Sequence, residues 1–270
     1  MQLLIDVREE AVPTYAYTGG KPFDAALPCI VFVHGALHDH SVWTLLSRWF
    51  AHHGHSALAP DIPGHGRSRG APLASVEALG EWLVALLQSA GIAKAVLVGH
   101  SMGSLIALEA AARAPSQVER LVMIGASYPM KVSDAVFKTS EQDPLEAIAM
   151  VNAFSHAGHA AKPSYPGPGT WLHGSNRALM RRNQDGQPGL NLFNHDFKVC
   201  DSYAAGLEAA EKVRCPVSFI LGDRDQMTSP KQVDGIAKAL NARVHRVPAG
   251  HNLMAEAPDA VLAALRAAIA

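Results

Sequence analysis

Apolar residues along this chain fall into two patterns, short β-branched runs and longer stretches with a three-to-four-residue period, and the two alternate. The runs at 3–7, 14–17, 29–33, 56–59, 95–98, 118–124, 217–221 and 244–247 predict strands. Between them, 41–52 places Val42, Leu45, Leu46 and Trp49 on one helical face, and 76–90 does the same with Leu79, Leu83, Leu86 and Leu87. Further helices are expected over 105–113, over 231–240 behind Ser229 as cap with Pro230 in its first turn, and over 258–269. Strand and helix in alternation imply an α/β fold: a doubly wound, mostly parallel eight-stranded sheet with right-handed crossovers.

One stretch, 128–205, leaves this rhythm. It carries a Pro/Gly-rich break over 163–171 and is otherwise helical in pattern, so it reads as a cap inserted after the sixth strand. That divides the chain into a core, 1–127 with 206–270, and a helical cap, 128–205. The cap has seven basic and seven acidic residues and is neutral overall.

Composition narrows the partners. A chain of 270 residues fits one large α/β domain with an insertion. Its 23 basic and 24 acidic residues leave no electrostatic footprint for nucleic acid or an anionic membrane surface, so the expected partner is a small molecule. Three scattered cysteines, Cys29, Cys200 and Cys215, form neither a disulfide framework nor a metal knuckle. No basic leader opens the sequence and no apolar run reaches the length of a membrane span, which together suggest a cytoplasmic protein. Oligomeric state is left open by the sequence.

The chemistry begins at Gly99-His100-Ser101-Met102-Gly103, between a buried-strand pattern and a helical one. A serine on such a turn is held in a strained conformation with its hydroxyl exposed, and its neighbours two residues away must lack a Cβ. The helix that follows aims its amide-rich N-terminus at the same point. A serine hydroxyl needs a base, and the base needs a partner that fixes its tautomer. His251 follows the last strand through Pro248-Ala-Gly250, which carries it over the carboxyl edge of the sheet. The acid comes from Gly222-Asp-Arg-Asp225, where Asp225 has more freedom to reach a histidine and Asp223 suits a turn or a surface arginine.

Taken together, His34-Gly35, Asp61-Ile-Pro-Gly-His-Gly-Arg-Ser68, Gly99-His-Ser-Met-Gly103, Gly222-Asp-Arg-Asp225 and Gly250-His251 resemble the α/β-hydrolase fold superfamily, capped type. The resemblance implies a carboxylesterase-like serine hydrolase with catalytic Ser101, Asp225 and His251. It also implies an oxyanion hole made by the amides of Met102 and Ala36, with Leu37 the alternative to Ala36. The 61–68 segment is then a structural turn that includes His65. Acyl transfer through these groups needs no cofactor and no metal.

His38, Trp171 and His195 are the expected substrate contacts, with Phe154, His156, His159 and Phe193 as further candidates in the cap and several methionines as a deformable wall. The cluster at His52, His53 and His55 lacks a carboxylate or cysteine to complete a ligand set. Rival functions on the same fold remain. The loop His38-Asp39-His40 resembles that of cofactor-free dioxygenases, but 125–133 lacks their carboxylate and Ala36 stands where they have tryptophan. A serine at 101 speaks against dehalogenases and epoxide hydrolases. A carbon-carbon bond hydrolase would use the same three residues, and a ligand receptor would use the pocket alone.

Overall fold

The structure, a computed structural model, describes residues 1–7, 10–157 and 171–270. The strands are β1 (Gln2–Val7), β2 (Glu10–Tyr17), β3 (Cys29–Val33), β4 (Ser56–Pro60), β5 (Ala95–His100), β6 (Val118–Ile124), β7 (Val217–Gly222) and β8 (Arg243–Val247). They form one eight-stranded sheet in the order β1-β2-β4-β3-β5-β6-β7-β8. β2 is antiparallel to both β1 and β4, and every other pairing is parallel. The expected mostly parallel, doubly wound sheet is therefore present.

Alternation along the central strands feeds two cores. Val31, Val33, Leu97, Leu121, Met123, Phe219 and Leu221 point to one face; Ile30, Phe32, Val96, Val98, Val122, Ile124 and Ile220 point to the other. The first face is covered by α2 (Val76–Ser89), α3 (Met102–Arg113), α8 (Gly206–Lys212) and α9 (Asp234–Ala239), the second by α1 (Thr44–Ala51) and α11 (Pro258–Ile269). Burial on both faces explains why these strands read as unbroken apolar runs. At the edge, β8 is mostly exposed and carries Arg243 and Arg246, charges that disfavour further strand pairing.

Two expected helices begin differently. The 41–52 helix opens with a 3₁₀ turn, His40–Trp43, whose cap Asp39 accepts from the Ser41 amide at 2.9 Å, and only then becomes α1. The 231–240 helix likewise starts as a 3₁₀ turn, Pro230–Val233. Its Gln232 carbonyl is drawn out to the Tyr128 amide at 3.3 Å.

Between β6 and β7 lie α4 (Asp134–Gln142), α5 (Pro144–Phe154), α6 (Leu172–Asp185) and α7 (Leu192–Ser202), before α8 returns to the sheet. Ala147, Ile148, Val151, Met180, Leu192, Phe193 and Phe197 from these helices form a third, smaller core, and Leu37 from the loop after β3 joins it. His159 and the break over 163–170 lie outside the described residues. A short α10 (Leu253–Glu256) precedes α11. No helix among the described residues is long and apolar enough to cross a membrane.

The tightest packing is where α3 leaves β5. A Cβ at Gly103 would stand 2.3 Å from the Val33 carbonyl oxygen and 2.5 Å from that of His34, and one at Gly99 would stand 2.1 Å from the Gly103 oxygen. Backbone cannot yield as a side chain can. Gly103→Ala is therefore expected to cost about 3 kcal/mol or more. Gly235 lies in α9 with nothing within 4 Å of an added Cβ, so Gly235→Ala should stabilise by about 0.5–1 kcal/mol. Urea denaturation of both variants checks the contrast, and a Gly103→Ala midpoint equal to wild type would contradict the packing argument.

Candidate active site

Ser101 occupies the single residue between β5 and α3, at φ 52° and ψ −121°. This is a backbone region that residues with a Cβ rarely adopt and that surrounding structure must enforce. Enforcement is visible on both sides. The Ser101 amide donates to the Ile124 carbonyl at 2.9 Å, and the Ser101 carbonyl accepts from the Ser104 amide at 2.8 Å and its hydroxyl at 2.5 Å.

The serine opens onto a cavity of about 380 Å³ whose wall is mainly apolar. Ala36, His38, His100 and His251 share that wall with Ser101, and Val151, Met180 and Phe197 face them from the inserted helices. The volume lies within the range of small-molecule sites.

His251 reaches the cavity from the loop after β8. Its carbonyl accepts from His100 Nε2 at 2.9 Å, which ties that loop to the residue before the serine. Glu256 holds the loop from behind, accepting the Gly250 amide at 3.0 Å and the Ala157 amide at 2.7 Å. His251 Nδ1 lies 2.9 Å from Asp225 Oδ2, so Nδ1 carries the proton of that bond. Asp225, buried at the end of β7, also accepts the amides of Met227 and Thr228 at 2.8 and 2.9 Å and the Thr228 hydroxyl at 2.7 Å. Burial alone would raise this carboxyl. The His251 imidazole and these donors outweigh burial and hold it below its ordinary range. Asp223, by contrast, pairs with Arg246 on the surface at 2.8 Å.

Among the described residues, the amides of Ala36 and Met102 donate to no protein acceptor. The Leu37 amide is already taken, donating to Asp196 Oδ2 at 2.9 Å. Of the two, the Ala36 amide beside the cavity is therefore the one without a protein acceptor among the described residues.

The expected substrate contacts divide. His38 lines the cavity and donates through Nε2 to Asn176 Oδ1 at 2.9 Å, while its Nδ1 has no partner among the described residues. Burial lowers His38 to about 4, so it is neutral near pH 7. Trp171 and His195 do not line the cavity. Trp171 precedes α6, is 55% exposed, and lies over Gly174 and beside the His173 ring. His195 turns away on α7, with Nδ1 3.2 Å from Asp196 Oδ1. Phe154 reaches the wall, as do Met130, Met150 and Met227, whereas Phe193 and His156 are buried in packing.

Sequence reasoning missed a buried ion pair beside the site. His65 Nε2 lies 2.8 Å from Asp196 Oδ2 and Nδ1 lies 3.2 Å from the Pro63 carbonyl, so both ring nitrogens face acceptors and both carry protons. Burial disfavours that cation, but Asp196, then the Pro63 carbonyl and Asp61, overcome it and raise His65 above its ordinary value. Asp196 is held far below the carboxylate range by His65, against the cost of its own burial. His34 shows the opposite case. Its Nε2 accepts the Ile62 amide at 3.0 Å, and burial lowers it to about 4.

One group of potential metal ligands, Asp39, His40 and Asp61, occurs among the described residues. Its oxygens already accept from Ser41, Arg182, His40 and Arg67. The donor set fits an internal hydrogen-bond cluster.

A family model described as the alpha/beta hydrolase family matches residues 30–264. Over 254 residues the chain is 26% identical to Esterase YbfF of Escherichia coli, a match covering 88% of this chain and 91% of that protein. It is also 40% identical over 105 residues to an sn-1-specific diacylglycerol lipase of Mus musculus. That match spans 38% of this chain and only 34% of the relative. Among solved structures, an esterase from Exiguobacterium antarcticum superposes with a TM-score of 0.82 over 100% of this chain and 99% of that one, at 15% identity.

The raised His65 sets a pH dependence of stability. Its contribution is fully present below the unfolded value of about 6.5 and is lost as pH rises through the higher folded value. Urea midpoints of wild type and His65→Gln should accordingly differ most at and below about pH 6 and converge as pH rises. A gap that stays constant or widens would contradict the buried imidazolium.

Proposed function

The chain belongs to the alpha/beta hydrolase family, and from that premise we propose that it is a serine hydrolase cleaving a small-molecule carboxylic ester, lactone or thioester. The observation that carries this reading is a strained Ser101 facing the same cavity as His251, whose Nδ1 is hydrogen-bonded to buried Asp225. Helices α4 to α7 act as a cap over that cavity, with 128–205 as the cap and the remainder as the core. The esterase names of relatives agree with this chemistry.

In the proposed mechanism Ser101 Oγ attacks the acyl carbonyl carbon while its proton passes to His251 Nε2. Asp225 holds Nδ1–H and stabilises the imidazolium. The carbonyl oxygen becomes an oxyanion bound by the amides of Met102 and Ala36, and the N-terminus of α3 adds its field. As the intermediate collapses, the bond to the leaving alcohol breaks and His251 returns the proton to it. The acyl-enzyme is then attacked by water, whose proton goes to His251 and on to Ser101, releasing the carboxylic acid.

Val151, Met180 and Phe197 make the cavity wall suited to an uncharged acyl chain. Lys131, the cation at the rim, is engaged with Asp201 through its carbonyl at 2.6 Å and its carboxylate at 3.5 Å.

Chromogenic esters of graded acyl length test the proposal. Wild type is expected to turn over neutral apolar acyl groups, with Ser101→Ala lower in kcat by more than about 10³-fold and Asp225→Asn also strongly impaired. Undiminished turnover in Ser101→Ala would refute it. A ligand-induced rise in melting temperature without turnover in wild type would favour a receptor instead.

A further inference from the structure

Leu37 follows the oxyanion donor Ala36, and the inserted helices hold every part of it. Its φ is 55°, a left-handed conformation that leucine keeps only where its surroundings over-determine it. Its amide donates to Asp196 Oδ2 of α7 at 2.9 Å, and its carbonyl accepts from Asn183 Nδ2 of α6 at 3.1 Å. The side chain is fully buried in the core formed by α5, α6 and α7.

The same two polar residues also reach the turn beneath. Asp196 Oδ2 pairs with His65 Nε2 at 2.8 Å, and Asn183 Oδ1 accepts from the Gly66 amide at 2.9 Å. Each therefore bridges the loop after β3 to the 61–68 turn. Because a peptide unit is planar, fixing the Leu37 amide fixes the Ala36 carbonyl plane. Only the two dihedrals of Ala36 itself then separate that plane from the Ala36 amide. An oxyanion donor must lie within about 2.7–3.1 Å of the developing charge, so a swing about either removes its effect.

We propose that Asp196 and Asn183 are positioning residues, which grip Leu37 from both sides and so aim the Ala36 amide at the oxyanion. The oxyanion hole is then complete only while α6 and α7 are docked on the core. This inference rests on the serine-hydrolase reading, with Ala36 as donor. His65 enters as support for the Asp196 carboxylate; the charged or titratable groups around it are Asp196 from α7, Asp61 on its own turn and His34 at 5.4 Å between ring centroids.

The test is steady-state kinetics of Asp196→Ala, Asp196→Asn, Asn183→Ala and Ser101→Ala on a chromogenic ester. For the variants that retain the serine, kcat is expressed per Ser101 labelled by a fluorophosphonate, so that unfolded protein does not count. Asp196→Ala is expected to lose about 10–100-fold in kcat with KM within about threefold, and Asn183→Ala several-fold in the same sense. Asp196→Asn keeps an acceptor for the Leu37 amide while losing the ion pair, and should recover to within about fivefold of wild type. A purely structural role would not give that rescue per labelled site.

Wild-type kcat in Asp196→Ala, or equal impairment in Asp196→Asn and Asp196→Ala, overturns the proposal. Should Asp196→Ala fail to fold, Asn183→Ala decides alone: lower kcat at unchanged KM upholds the proposal, and unchanged kcat overturns it. Turnover surviving in Ser101→Ala sinks the hydrolase reading and this inference with it. Its loss there, beside unchanged kcat in the other variants, sinks this inference only.

Discussion

The close approach of α3 to the end of β3 is the constraint on which the rest of the site depends. The first turn of α3 stands so near the Val33 and His34 carbonyls that no Cβ fits at Gly103, and Gly99 is excluded from carrying one by Gly103 itself. With both flanks fixed, the chain can pass from strand to helix in one residue only by placing Ser101 at positive φ. That geometry projects a hydroxyl above the sheet edge, where the ends of β7 and β8 deliver Asp225 and His251. Parallel strands end on the same side, so residues far apart in sequence meet there without a dedicated scaffold.

Around this point the buried histidines differ in charge for a reason that can be counted in hydrogen bonds. His34 receives an amide on Nε2 and must offer a lone pair there, so it stays neutral. His65 faces an acceptor at each nitrogen and must donate twice. Both rings are fully enclosed and lie close together, with centroids 5.4 Å from each other. Burial pushes both rings toward neutrality; at His65 the acceptors, Asp196 foremost, overcome it, and at His34 the partners do not. The resulting cation pairs with buried Asp196, which would otherwise keep only the Leu37 amide and the His195 ring as partners.

Much of the core was legible because its signals are local. Eight strands, their alternation with helices and the elbow at Ser101 follow from period, β-branching and glycine spacing, and Asp225 and His251 follow from strand ends. The inserted helices were harder. Trp171 and His195 looked like cavity residues because of their chemistry, but pocket lining depends on which way a helix faces. Trp171 sits before the first turn of α6 and folds outward over Gly174, while His195 turns toward Asp196. Asp196 itself was one acidic residue in a charge-balanced stretch. Its partners, Leu37 and His65, are 159 and 131 residues away, and no periodicity encodes such a meeting. The 3₁₀ openings of α1 and α9 were also hidden, since they depend on side-chain and tertiary hydrogen bonds at Asp39 and Gln232.

The grip on Leu37 bears on how far this fold can be treated as a platform with interchangeable tops. Grafting the helices of another relative onto the same sheet would remove the acceptor for the Leu37 amide, the donor to its carbonyl, and the apolar bed beneath its side chain. A residue at φ 55° without those three restraints would relax. Transplants confined to the cavity-facing wall, retaining Asn183 and Asp196, leave the foundation intact; wholesale replacement does not. Shape diversification in this molecule is thus restricted to one side of its helices.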